Sequence, residues 1–316
     1  NRFFARWAVR SAHYVSFRSA ESQALVSSLG VKRKIHVCPD PAYSLDMREY
    51  LRSAPSDAVE RADARALLRN IGIEIEAHVS PDPPYVEDTW KYPIERSTGT
   101  SMPKVGLNPM SFCDPRRWPR KDAAVYERFL SALTAFSSWL LAQDYRLEIY
   151  TSDMMDLYAL EDLRDRLLAG VSPAAASKVS FRPALTLKEL LLQMSTFDFV
   201  VTSKFHGVIF SHLLGKPVIA LGYLPKFHHL MRAVGHDQYC LDAERVDAGW
   251  LIERFECLVR ENEQLRSLFR KTSDAYSSTL QVEFDKVFLG RPRGWMTPPS
   301  RKMGVTEHGF STAAAR

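Results

Sequence analysis

From Lys104 to Asp242, short apolar runs alternate with helical patterns, and few folds satisfy that alternation. The strand candidates are KVGLNPM (104–110), LEIYTS (147–152), KVSFRP (178–183), FDFVVTS (197–203), PVIALGY (217–223) and DQYCLD (237–242). Between them apolar residues recur at helical spacing. The clearest case is 123–142, where Val125, Phe129, Leu133, Phe136 and Leu140 mark one face. Shorter helical patterns follow Asp153, Thr186, His206 and Lys226. Strands separated by helices of this length form βαβ units, so the expected fold class is α/β, a mostly parallel sheet with helices on both faces. Helical stretches at 246–260 and 262–288 would close this Rossmann-like domain.

Residues 1–50 repeat part of the same grammar: an Arg-rich helix, the strand AHYVSFR (12–18), a helix over 20–29 and the strand KIHVCPD (34–40). Two strands do not make a stable domain alone. The stretch therefore reads as a partial N-terminal Rossmann-like domain. The text opens at Asn1 inside a helical pattern with no capping residue, so a fragment is expected. Residues 51–100 begin as a helix, then turn acidic and proline-bearing (SPDPPYVED), as in a linker or insertion. Residues 101–290 are the main domain. The stretch 291–316, with Pro292, Pro298, Pro299 and an Ala-rich end, is expected to be a disordered tail.

Charge and cysteine usage narrow the function classes. Forty-two Lys and Arg against 37 Asp and Glu give a net charge of +5, which suits acidic small molecules or an anionic surface and is too small to argue for nucleic acid. Cys38, Cys113, Cys240 and Cys257 stand far apart without a CxxC pair, so the chain reads as reduced and cytoplasmic. No run approaches the roughly 18 apolar residues of a spanning helix. Arg2, Arg6 and Arg10 recur beside Phe3 and Trp7, which leaves two readings open. The helix either covers the sheet of its own domain, the plainer reading, or makes a peripheral contact with the inner face of a membrane.

The chemistry concentrates in FDFVVTSKFHGVIFSHLLGKPVIALGYLPKFHHLM, residues 197–231. An apolar strand delivers Ser203, Lys204 and His206 to its carboxyl end, and a helix starts at once around Gly207. Ligands of open α/β sheets sit beyond such strand ends, where a helix N-terminus offers free N–H groups to an anion. The next strand ends at Tyr223, with Lys226 just after it. An anionic substrate fits this set, and His206 is placed for acid/base work. Arg116 and Arg117, in the loop after the first main-domain strand, either grip a carboxylate or phosphate or are solvated. Asp153 and Asp156 are expected to cap a helix and need no other role. Five of the nine histidines fall between 206 and 236, yet none pairs at i, i+4 with an interleaved carboxylate, so no metal site is expected.

The block Ser203, Lys204, Phe205, His206, Gly207, then Gly215, Lys216, Pro217, Val218 and the run from Tyr223 to Lys226, resembles the S-x-R-x-H-G, G-x-P and Y-x-x-K signature of the polysaccharide pyruvyl transferases. YVSFRSAESQALVSSLGV, followed by Pro39, Asp40, Pro41 and Ala42, is similar to that family's N-terminal pattern. The resemblance implies a glycosyltransferase-B-like fold, two Rossmann-like domains facing a cleft. It also implies transfer of a pyruvyl group from phosphoenolpyruvate to a sugar diol of a polysaccharide or lipid-linked precursor, forming a ketal without a further cofactor. On that reading His206 is the acid/base residue. Ser203, Lys204, Gly207, Tyr223, Lys226, Arg116 and Arg117 hold the donor, and Arg18 lies on the acceptor side. Lys204 departs from the family's arginine and offers a point charge in place of a planar fork. Two alternatives remain: a nucleotide-sugar-dependent glycosyltransferase of the same fold, for which Glu189 stands near a ribose-gripping position, and an inactive glycan-binding paralogue.

Overall fold

The computed structural model describes residues 2–53 and 102–290. The first stretch holds helix α1 (Arg2–Ser11), strand β1 (Ser16–Phe17), α2 (Ala20–Ser28), β2 (His36–Val37) and α3 (Met47–Ser53). The pair β1-β2 is parallel, with Ser16 opposite His36 and Phe17 opposite Val37. A small core of Val15, Val31 and Ile35 lies beneath it. Both strands are far shorter than their apolar runs because neither has a second neighbour to extend the ladder among the described residues. For the same reason α1 is not covered. Val9 packs on the small core, while Phe3, Phe4 and Trp7 are exposed, so a two-residue-wide sheet does not bury the helix that sequence placed over it.

The second stretch runs β3 (Lys104–Asn108), α4 (Ala123–Ala142), β4 (Arg146–Thr151), α5 (Leu157–Gly170), β5 (Val179–Pro183), α6 (Leu187–Ser195), β6 (Phe199–Thr202), α7 (Phe205–Leu213), β7 (Val218–Gly222), α8 (Pro225–Ala233), β8 (Cys240–Asp242), α9 (Ala248–Arg260) and α10 (Asn262–Phe284). All six strands pair in parallel in the order β5-β4-β3-β6-β7-β8. Helices cover both faces, so the central strands are buried throughout: Leu107, Ile149, Val201 and Ile219 have no exposed surface. Local chemistry sets the boundaries. Pro109 has no N–H for the ladder and β3 stops before it. The Asp122 carboxylate accepts from the N–H groups of Ala124 and Val125 and starts α4. At α6, Thr186 and Glu189 form a reciprocal capping box. Residues 237–239 form a 3-10 turn where a strand was expected, leaving β8 only three residues.

The molecule is thus a two-domain α/β fold of the glycosyltransferase-B kind, the first parallel sheet much smaller than the second. Chain connections depart in opposite directions from β3, toward β4 and β5 on one side and through β6 to β8 on the other. That reversal opens a crevice above the carboxyl ends of β3 and β6. Helix α10 reaches back to the small domain, where the Tyr14 hydroxyl donates to Glu283 at 2.8 Å. The linker expected over 51–100, apart from its first three residues, and the tail 291–316 lie outside the described residues.

Candidate functional site

A cleft of about 460 Å³ lies over that crevice. Its lining has two halves. One is polar and cationic: Asn108 at the end of β3, Ser152 and Asp153 after β4, Lys204, His206 and Gly207 at the start of α7, and Tyr223 and Lys226 after β7. The other is apolar: Tyr150, Leu185, Leu187, Leu190 and Met194, from the end of β4, the β5-to-α6 turn and α6, together with Phe205 and Phe210 of α7.

Strand β6 carries its last residues straight into α7, whose cap position, Lys204, supplies no side-chain hydrogen bond. The first turn of α7 therefore presents backbone N–H groups and the positive end of the helix dipole to the cleft. Gly207 permits this geometry by its size. A Cβ there would fall 2.6 Å from Thr202 Oγ1, so any side chain would push the helix off the strand end. His206 is exposed, and its ring lies against those of Phe205 and Phe210, with centroids at 5.8 and 6.1 Å. Among the described residues it has no hydrogen-bond partner, which leaves both ring nitrogens to a ligand.

The two cleft lysines differ sharply. The Lys204 ammonium is held by Asp153 at 2.9 Å and by Asp156, which is almost fully buried and also accepts from the Ser111 N–H at 2.8 Å. Burial pulls the Lys204 pKa down, but the Asp156 and Asp153 carboxylates outweigh it and the net shift is upward. Burial likewise pushes Asp153 up, Lys204 more than offsets it, and Asp153 ends below its usual value. For Asp156 burial prevails and the net shift is upward. Lys226, by contrast, has no carboxylate partner among the described residues. Its ammonium lies over the Phe205 ring at 4.7 Å. Burial, and then the nearby Arg18 charge, lower its pKa.

Lys226 and Phe205 also line a second groove, about 680 Å³, between the small domain and helices α8 and α10. There Arg18 pairs with Asp40 at 2.8 Å and lays its guanidinium over Phe205 at 4.6 Å. Cleft and groove meet at these two residues. The structure thus brings Lys204, His206, Gly207, Tyr223 and Lys226 together, with Arg18 at the adjoining groove. Ser203 is fully buried and does not line the cleft. Nor do Arg116 and Arg117: Arg116 is bound by Asp114 and Asp162, and Arg117 donates to the Tyr158 hydroxyl at 2.6 Å. Glu189 accepts from the N–H groups of Leu185 and Thr186, which ties it to the start of α6.

Two features went unread in the sequence. The apolar half of the cleft comes from Leu185, Leu187 and Leu190, whose pattern was absorbed into the helical period. The Asp153/Asp156 grip on Lys204 was legible only as helix capping, although two acids just past a strand end were its signal. Among the described residues no group of three His, Cys, Asp or Glu side chains is placed to hold a metal ion, and no helix is long and apolar enough to cross a membrane. All four cysteines are free.

The sequence profile of the family described as polysaccharide pyruvyl transferase matches residues 1–225. No curated protein matches the chain at a significant level. Among solved structures, UDP-GlcNAc 2-epimerase from Neisseria meningitidis bound to UDP-GlcNAc is similar, with a TM-score of 0.46 and 11% identity over 86% of this chain and 61% of that one. HepE of Anabaena in complex with UDP and glucose gives 0.48 and 13%, over 92% of this chain and 68% of that one. Sucrose-phosphate synthase from Thermosynechococcus elongatus gives 0.46 and 14%, over 92% and 62%. The likeness is one of fold, and the chain spans about 61% of the first of these proteins. It corrects the expected reaction. Structures that share the fold contain UDP and UDP-linked sugar, which belongs to the nucleotide-sugar alternative and not to pyruvyl transfer from phosphoenolpyruvate.

Proposed function

Since this chain belongs to the polysaccharide pyruvyl transferase family, we propose that it is an enzyme acting on sugars, and that its larger domain binds a nucleotide-linked sugar donor in the cleft over β3 and β6. The observation that carries this reading is a single cleft lined by both apolar side chains and cationic groups. A flat base suits the surface made by Tyr150, Leu185, Leu187 and Leu190. The diphosphate suits the α7 N-terminus and Lys226, where backbone N–H groups and an ammonium without a carboxylate partner face one volume.

The chemistry follows from that placement. As an acceptor hydroxyl attacks the sugar carbon, His206 takes its proton, the new C–O bond forms and the bond to the diphosphate breaks. Charge gathers on the leaving oxygen, where the helix end and Lys226 stand ready for it. Lys204 carries less of that load because two carboxylates already balance it. It fixes the β4 loop to the α7 start and so holds the cleft floor.

Calorimetric titration with a panel of UDP-, GDP-, ADP- and CMP-linked sugars, and with phosphoenolpyruvate, tests the reading. One nucleotide sugar should bind, and Lys226→Ala should weaken that binding by about 1.5–3 kcal/mol, the range for a hydrogen bond to a charged group. Binding of phosphoenolpyruvate with no response to any nucleotide sugar overturns it.

A further inference from the structure

Tyr223, in the lining of the cleft, belongs to a row of aromatic rings that the donor reading does not use. Trp118, on the loop between β3 and α4, meets Tyr223 edge to face with centroids 5.5 Å apart, and meets Phe112 in the same way at 5.5 Å. Tyr223 passes the contact to Phe227 at 5.5 Å, and Phe227 to Phe205 at 5.5 Å. The row therefore runs from the Trp118 loop to the point where cleft and groove meet. Its members fall into two kinds. Phe112, Phe205 and Phe227 are buried and fill core, whereas Trp118 and Tyr223 are half-buried and keep part of each ring open. Each open ring also carries an idle polar tip. Among the described residues the Trp118 indole N–H has no acceptor and the Tyr223 hydroxyl has no partner.

An aromatic body with a free donor at its edge, beside a cleft, is matched to one kind of ligand. A sugar ring has an apolar face of C–H groups that lies on an aromatic plane and a rim of hydroxyls that meets N–H and O–H groups. We infer that Trp118 and Tyr223 form a glycan subsite, on which a sugar of an oligosaccharide acceptor stacks while its neighbour reaches His206. The inference rests on the sugar-transferase reading and deepens it: the acceptor is a chain of at least two sugars, not a free monosaccharide, because Trp118 lies outside the cleft that His206 lines and Tyr223 within it.

Trp118→Ala tests it, since Trp118 lies outside the donor cleft. The parent and the variant are applied to immobilised neutral and acidic oligosaccharides of two to six sugars and to the same monosaccharides, and nucleotide-sugar affinity is measured in parallel by calorimetry. The parent should retain oligosaccharides over monosaccharides. Trp118→Ala should lose at least tenfold in that retention with donor affinity unchanged, and Trp118→Phe should recover part of it. Equal retention by parent and Trp118→Ala overturns the subsite, as does failure of the parent to retain any oligosaccharide while it still binds a nucleotide sugar. Loss of donor binding in the parent instead strikes the underlying reading. The Phe variant and a thermal melt separate a lost platform from a disordered loop.

Discussion

Helix α7 has a histidine near each end, and the two live in opposite surroundings. His206, in the first turn, is exposed to the cleft and has no partner among the described residues. His212, near the last turn, is sealed between domains. Its Nδ1 shares a 2.7 Å hydrogen bond with the Tyr43 hydroxyl, and its ring stacks on Phe269 with centroids 4.4 Å apart. One helix therefore uses the same residue type for a ligand-facing group at the strand-end rim and for packing at the other side of the sheet. Parallel topology produces this asymmetry: every strand points its carboxyl end, with its unpaired carbonyls and following loop, toward one rim. At the opposite end the residues hold domains together.

At the rim, the largest expected effect lies at Lys204, which behaves like a packed residue. Lys204→Met leaves the buried Asp156 carboxylate without its cation, which should cost about 3–5 kcal/mol of stability in denaturant unfolding. Adding Asp156→Asn should restore most of that loss, because no charge is then left to bury. An unchanged midpoint in Lys204→Met, together with lost donor binding, would move Lys204 from the floor of the cleft to the donor.

His206→Ala sharpens the contrast from the other side. Because His206 is exposed and has no hydrogen-bond partner among the described residues, the variant should shift stability by less than about 0.5 kcal/mol. Turnover should fall on the order of a hundredfold, about 2.7 kcal/mol in activation free energy. Assay with the donor identified by titration checks both numbers on one preparation. Full turnover in the variant would leave the exposed histidine without a chemical task.

Much of this architecture was readable because it rests on local periodicity. The run 123–142 repeats apolar residues at helical spacing and is a helix over that range, with Asp122 as its cap. Each buried strand falls within an expected apolar run give or take a residue, although the run 104–110 stops at Asn108 and the run 237–242 yields only Cys240–Asp242. What escaped was whatever depends on partners distant in sequence. Lys204 looked like an open anion site until Asp153 and Asp156, some fifty residues earlier, came into reach. Arg116 and Arg117 looked available until Asp162 and Tyr158 on α5 engaged them. Ser203 directly follows β6 and is fully buried, as is Thr202 before it. Sequence spacing fixes which residues share a rim; it does not say which charges arrive there already neutralised.

The sealed end is tested directly by the response to acid. Burial, and then the charge of His236, lower the His212 pKa to about 3. Burial lowers His236 to about 4, against the opposing pull of Glu261 and Asp237. Both rings are therefore neutral in the folded chain at pH values where the unfolded chain, titrating near 6.5, has begun to protonate them. The unfolded state then binds more protons than the native state, so stability rises with pH through this window and falls as pH drops. The contribution is fully present above about pH 6.5 and is lost progressively toward pH 4 and 3, with a limiting slope of about 1.4 kcal/mol per pH unit for each histidine. Urea unfolding between about pH 7.5 and 4.5 should show this slope, above the range where most carboxylates titrate. His212→Asn keeps an acceptor for the Tyr43 hydroxyl, and His236→Leu removes a ring whose two nitrogens have no partner among the described residues. The double variant should flatten the dependence while leaving the His206 cleft and its donor affinity alone. A slope unchanged in the double variant would mean that the sealed end of α7 is not what acid opens.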